Sequence, residues 1–180
     1  MIYLVRHGQT DWNVVRRIQG STDIPLNETG RKQAKELSED ITNYKIDRII
    51  CSDLSRARET AEILNEKIGC NITFDKRLRE VNYGDLEGRL IEDFKNGEWD
   101  VFNQTPEKLN GEKKLDVYKR VKSFLDELDI ENENILVVSH GGVIRMMLYY
   151  KENGDNFDNE KYTKFLLETK INNAQIYEFE

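Results

Sequence analysis

Short apolar runs alternate with longer amphipathic stretches from one end of this chain to the other. Residues 2–6 form a near-continuous apolar run, the pattern of a strand buried on both faces. Residues 27–43 carry Ala34, Leu37 and Ile41 at helical spacing, with Asn27 as a predicted N-cap behind Pro25-Leu26. A second strand is expected over 48–52. A helix carrying Ala57, Ala61 and Leu64 follows, capped by Ser52 or Asp53 and stopped at Gly69. Residues 71–75 predict a third strand. Residues 76–112 are irregular and rich in Gly, Asn and charge, with short helices expected near 91–94 and 99–102. Val117, Val121, Phe124, Leu125 and Leu128 mark a long amphipathic helix. A fourth strand over 135–139 and a helix over 142–150 come next. Residues 162–168 carry no decisive period, and 174–179 alternate as a strand.

Strands that alternate with helices predict an α/β fold: three layers, α/β/α, with a doubly wound, mostly parallel sheet. No repeat, low-complexity tract or linker divides the 180 residues, so one domain over 1–180 is expected. The hydrophobic share is 38% and the charged share 34%, an ordinary globular mix. The formal net charge of −7, with no Lys/Arg block, argues against a nucleic-acid partner. The most apolar stretch, 135–150, is interrupted by Ser139, His140 and Arg145 and is too short to span a membrane. With a strand expected from residue 2, no signal peptide fits, and a cytoplasmic location is expected. Cys51 and Cys70 form no CxxC and read as free thiols of a reducing compartment, not as ligands of a metal. Nothing in the sequence indicates an oligomeric state.

The chemistry concentrates in two histidines, the only ones in the chain. Each ends an apolar run and each precedes glycine: Ile2-Tyr3-Leu4-Val5-Arg6-His7-Gly8 and Ile135-Leu136-Val137-Val138-Ser139-His140-Gly141-Gly142. With 11 glycines in 180 residues, chance places glycine after both with a probability of roughly 0.06 squared. Ligands of open α/β sheets bind beyond the carboxyl ends of strands, so two such ends can bring both imidazoles to one pocket. Glycine there would let the backbone approach a ligand and turn sharply. The second strand ends at Ser52-Asp53, with Arg56 and Arg58 in the helix that follows. If these strands are neighbours, Arg6, Arg56, His7 and His140 converge at helix N-termini, a set suited to a tetrahedral oxyanion. Nearby arginines disfavour an imidazolium and keep a histidine neutral and nucleophilic. His7 is then a candidate to attack phosphorus, with Arg6, Arg56 and His140 stabilising charge. Glu80, in Leu78-Arg79-Glu80-Val81-Asn82-Tyr83-Gly84, is the candidate proton donor; burial and a bound dianion would both help it keep a proton. Arg58, two residues from Arg56, faces another direction and reads as a solvated residue. Trp12, Phe94, Trp99 and Phe102 read as core residues before substrate contacts.

Leu4-Val5-Arg6-His7-Gly8-Gln9-Thr10 resembles the signature of the histidine phosphatase, or phosphoglycerate mutase-like, superfamily. Trp12-Asn13, Gln19-Gly20, Pro25-Leu26 with Gly30, and Gln33-Ala34 resemble the family's first third. Ser52-Asp53-Leu54-Ser55-Arg56-Ala57 with Thr60-Ala61 resembles its second arginine motif, and Leu78-Arg79-Glu80 with Gly84 and Glu87-Gly88 its acid motif. Ser139-His140-Gly141-Gly142 resembles its second histidine motif, and the motifs keep family order over nearly the whole chain. The resemblance implies a phosphoglycerate mutase-like fold and metal-independent, cofactor-free chemistry on a small phosphomonoester. It makes His7 the phosphorylated nucleophile and Glu80 the proton donor, with Arg6, Arg56 and His140 holding the phosphoryl group. It also places Asn13, Gln19, Gly20 and Gly141 around the phosphate.

Gly111-Glu112-Lys113 departs from the Gly-Glu-Ser of many relatives. The acid-motif context is closer to the α-ribazole phosphatase and broad-specificity phosphatase branch than to the glycolytic mutases. The short segment 89–112 leaves little room for the insertion that contacts phosphoglycerate in those mutases, which favours water as acceptor. The expectation is a phosphomonoester hydrolase, with α-ribazole phosphate as leading substrate. A phosphoglycerate mutase and a non-catalytic phospho-ligand binder are the alternatives. A nucleotide-binding module is disfavoured, since neither GxGxxG nor GxxxxGK[ST] occurs.

Overall fold

Five strands, β1 (Ile2–Arg6), β2 (Arg48–Cys51), β3 (Asn71–Phe74), β4 (Ile135–Ser139) and β5 (Ile176–Glu178), form one sheet in the order β3-β2-β4-β1-β5. The computed structural model describes residues 1–94, 97–128 and 132–179. All neighbours are parallel except β5, which pairs antiparallel with β1. The helices are α1 (Asp11–Val14), α2 (Glu28–Ile41), α3 (Ser55–Ile68), α4 (Glu98–Gln104), α5 (Lys114–Asp126), α6 (Gly141–Asn153) and α7 (Asn159–Glu168).

The apolar strand runs split by alternation between two cores. Ile2, Leu4, Ile50, Ile135 and Val137 face one side, where Val117, Val121 and Phe124 of α5 and Val143, Met146 and Met147 of α6 cover them. Val5, Ile49, Cys51, Leu136 and Val138 face the other, under Ile41 of α2 and Ala57, Ala61 and Leu64 of α3. Fully burying one such aliphatic side chain is worth about 1.5–3 kcal/mol. The result is three layers, α/β/α. Because α2 and α3 lie on one face and α6 on the other, the chain leaves β4 onto the face opposite to that taken after β1 and β2. The carboxyl end of β4 is thus a switch point, where α/β sheets open a crevice.

The helix signals were mostly local. The Asn27 side chain accepts from the Gly30 amide (2.8 Å), and Gly69 ends α3 in the left-handed region (φ 72°). The cap of α3 differs from expectation. Neither Ser52 nor Asp53 accepts from its first turn; Asp23 does, through Ser55 N and Oγ (both 2.7 Å). Asp53 is instead paired with Arg79 (2.6 Å). The residues near 99–102 fall in α4, and those near 91–94 form a 3-10 turn over Ile91–Asp93. The undecided 162–168 stretch belongs to α7, which starts at Asn159 behind the Asp158 cap and buries Tyr162. No helix among the described residues is long and apolar enough to cross a membrane.

Candidate active site

The register of the sheet assembles the site. Arg6 lies beside Ser139 and Cys51 beside Val138, so the next residues of three adjacent strands meet. The pairing runs on past the strands: His7 N donates to Ser139 O and Ser52 N to Val138 O, both at 3.0 Å. The His7 and His140 rings lie 5.1 Å apart, and both side chains are buried. Of the predicted site residues, all but His140 line one cavity of about 230 Å³: Arg6, His7, Asn13, Gln19, Gly20, Arg56, Glu80 and Gly141.

His7 Nδ1 sits 2.7 Å from the Gly8 carbonyl. A carbonyl can only accept, so Nδ1 carries the hydrogen and Nε2 keeps its lone pair. Burial, then the charges of Arg56 and Arg6, hold the His7 pKa well below its usual 6.5. The neutral ring with a free Nε2 is the form that can attack an electrophile. His140 lies behind it. Arg56 Nε donates to His140 Nδ1 (3.2 Å), which leaves the His140 hydrogen on Nε2, 2.8 Å from Ser52 Oγ. Burial, again with Arg56 second, pushes its pKa well below 6.5. A direct His140 contact to a bound phosphoryl oxygen would require exchanging the Ser52 bond.

Arg56 is fully buried, and the cage around it explains how. Besides His140, it donates to Thr22 O (2.8 Å) and Gly20 O (2.7 Å). Burial lowers its pKa to about 10, so it stays charged at neutral pH. Arg6 donates to Ile171 O (2.7 Å), while its buried Nε has no partner among the described residues. Glu80 accepts from the amides of Val81 (2.9 Å) and Gly142 (3.1 Å), the second near the start of α6. A Cβ on Gly142 would stand 2.5 Å from Glu80 Oε1, so the close approach of Glu80 to α6 requires glycine there. The glycine after His7 has another reason. A Cβ on Gly8 would fall 2.5 Å from the Gly30 carbonyl, so this glycine packs the strand end against the start of α2 and not against a ligand. Arg58 is exposed and lies over the Phe74 ring.

Four residues that the sequence did not single out as ligands complete the arrangement. Glu87 accepts from the Ser21, Thr22 and Tyr83 amides (2.8, 3.0 and 3.0 Å) and from both hydroxyls, fixing the loop whose Gly20 and Thr22 carbonyls hold Arg56. Its place in Glu87-Gly88 of the acid motif was the available signal. Arg17 and Arg145 add cations to the cavity wall, and Arg145 is tied to Thr169 O (2.7 Å). Asn173, in the loop before β5, donates to the His7 carbonyl (2.8 Å). Among the described residues, no group of three or more His, Cys, Asp or Glu is placed to hold a metal ion.

The depressed histidine pKa values have a measurable consequence. Below about pH 6.5 the unfolded chain takes up protons on both histidines and the folded chain does not. Stability is therefore retained above pH 6.5 and falls below it, by about 1.4 kcal/mol per pH unit for each histidine until its folded value is reached. Imidazole titration by NMR is expected to place both midpoints below 6.5. A His7 midpoint at or above 6.5 would contradict the depression that burial and the two arginines impose.

The model of the histidine phosphatase superfamily (branch 1) matches residues 2–179. The chain is 43% identical over 148 residues to the Salmonella paratyphi A protein named "Probable phosphoglycerate mutase GpmB", covering 78% of this chain and 69% of that one. A mycobacterial glucosyl-3-phosphoglycerate phosphatase, solved with VO3, superposes with a TM-score of 0.83 at 29% identity, over 97% of this chain and 90% of that chain. A candidate alpha-ribazole-5'-P phosphatase of Escherichia coli K-12 gives 0.80 at 26% identity, over 97% and 87%. With strand order, site geometry and family model in agreement, this chain belongs to the histidine phosphatase superfamily and has the fold of its phosphoglycerate mutase-like members.

Proposed function

We propose that the protein hydrolyses small phosphomonoesters through a phosphohistidine at His7, without a metal or cofactor. The observation that carries this reading is the neutral His7 ring with Nε2 free, on the wall of a cavity shared with Arg6, Arg56 and Glu80. Nε2 attacks phosphorus as the bond to the leaving oxygen breaks, and Glu80 gives that oxygen its proton. Water then attacks the phosphohistidine, Glu80 takes back a proton, and the P–N bond breaks to release phosphate. Arg6 and Arg56 stabilise the charge on the transferring group, His140 joins them by exchanging its Ser52 hydrogen bond for one to a phosphoryl oxygen, and Asn13, Gln19, Gly20 and Gly141 surround it. The free thiols Cys51 and Cys70 support a cytoplasmic setting.

α-Ribazole phosphate is the leading substrate within this reading. A second cavity of about 270 Å³ adjoins the first, sharing Tyr83, Gly142 and Arg145, and is walled by Trp99, Phe102, Met146 and Leu166. Aromatic walls next to the proton donor suit a leaving group that ends in a flat heteroaromatic base. The name of the GpmB relative supports phosphoglycerate mutase as a second reading. The extra arginines, Arg17 and Arg145, would suit the carboxylate of a phosphoglycerate. Phosphate release in EDTA from p-nitrophenyl phosphate, α-ribazole phosphate and 3-phosphoglycerate separates these. Release from α-ribazole phosphate at the highest kcat/KM is expected. Isomerisation of phosphoglycerate without release would establish the mutase, and binding without either would leave a phospho-ligand binder.

A further inference from the structure

The loop between α7 and β5 touches the site three times. Thr169 O accepts from Arg145, Ile171 O from Arg6, and Asn173 Nδ2 donates to His7 O (2.8 Å). The third contact extends further, because the same Nδ2 lies 3.4 Å from Asn13 Oδ1.

Two backbone groups fix the identity of every atom in this chain of contacts. His7 O can only accept, so the Asn173 atom facing it is the amide nitrogen. The Thr10 amide can only donate, so the Asn13 atom facing it (3.1 Å) is the carbonyl oxygen. The Thr10 hydroxyl also points at that oxygen (3.2 Å). Asn13 Oδ1 is thus enclosed by Thr10 and Asn173, and the atom left for the cavity that Asn13 lines is its donor, Nδ2. Thr10 is the N-cap of the short helix α1 and local to Asn13, whereas Asn173 is 160 residues away in sequence. Thr10 contributes two donors to the oxygen, and Asn173 adds a third that is also bonded to the His7 backbone.

We propose that Asn173 is a positioning residue: it locks the Asn13 amide with its NH2 turned to the phosphoryl group and couples that donor to the peptide of His7. A carboxamide in the opposite orientation would set an oxygen against an anion, and the lock prevents that. This inference rests on the phosphatase reading only for its mention of a phosphoryl group; it is tested by binding.

The probe is inorganic phosphate, titrated calorimetrically into wild type, Asn13→Ala, Asn173→Ala and the double variant. Each single substitution is expected to weaken binding about tenfold, the loss of one hydrogen bond to a charged group. The double variant is expected to be no weaker than Asn13→Ala, because Asn173 acts through Asn13. Asn173→Ser, which keeps a donor of smaller reach, covers the case of an unfolded alanine variant and is expected to fall between alanine and wild type. Asn173→Asp offers only acceptors when ionised, so its binding is expected to recover relative to wild type as pH falls and the carboxyl gains a hydrogen. Losses that multiply in the double variant, or Asn173→Ala binding phosphate as wild type does, would overturn the proposal, as would a wild type that binds none. A wild type that binds phosphate but hydrolyses no ester would overturn the phosphatase reading and leave this one standing.

Discussion

Replacing His7 by alanine is expected to lower phosphate release by about 10,000-fold or more, the scale on which removal of a covalent nucleophile acts. The second histidine cannot substitute. His140 has Nδ1 held by Arg56 and Nε2 by Ser52, and it does not line the cavity. Arg6, Arg56 and Glu80 survive the substitution, so His7→Ala should still bind inorganic phosphate. The fold should also survive, since the ring makes one backbone hydrogen bond and sits at a strand end. The measurement is steady-state release with circular dichroism on the same sample, plus trapping of labelled protein during turnover by a rapid alkaline quench, because the P–N bond of a phosphohistidine breaks in acid and survives in base. A His7→Ala protein that retains a tenth of wild-type activity, or wild-type protein that never carries label under rapid quench, would sink the covalent route.

Arg56→Ala carries the second-largest effect. Losing one preorganised donor to the developing charge costs on the order of 100- to 1,000-fold in kcat. The loss here reaches further than one donor. Gly20 O, Thr22 O and His140 Nδ1 all lose their partner, and an unsatisfied buried polar group costs about 1–3 kcal/mol. Stability is therefore expected to fall together with activity, with a lower Tm. Because Arg56 is the second cause of the depressed His7 pKa, after burial, the His7 midpoint should rise in this variant yet stay below its usual value. Arg56→Lys should recover little, since one ammonium cannot span three acceptors that a guanidinium meets with its fork. A loss of less than about fivefold in kcat/KM, far below the expected range, would remove Arg56 from the chemistry.

Both predictions involve residues that stand out in the sequence, yet for different reasons. His7 is legible alone: an apolar run ending in Arg-His-Gly fixes a strand end, and a strand end in this fold class is where ligands bind. Arg56 is legible only through its motif. Nothing in Ser52-Asp53-Leu54-Ser55-Arg56 says that this arginine and not Arg58 is buried; α3 decides it, by presenting Arg56 to β4 and Arg58 to Phe74. The cap of α3 differs from the sequence expectation for a similar reason. Ser52 and Asp53 are both good caps, but His140 takes the hydroxyl of one and Arg79 the carboxylate of the other, and both partners are distant in sequence.

What the sequence by itself determined is therefore local and periodic. Strand and helix types follow from alternation and helical spacing, the Asn27 cap and Gly69 stop from backbone chemistry, and the motif residues from fixed neighbours along the chain. Tertiary structure decided what depends on strand order and side-chain direction. It placed β4 between β1 and β2, so that three strand ends meet, and it left His140 behind His7 instead of beside the cavity. It also recruited Glu87, Arg145 and Asn173 through contacts to Ser21, Thr169 and His7 that lie 66, 24 and 166 residues away. The physical reason is that a hydrogen bond or a burial depends on distance in space. Pattern along a chain reports which face a residue takes, while only the packed sheet fixes which partner waits on that face.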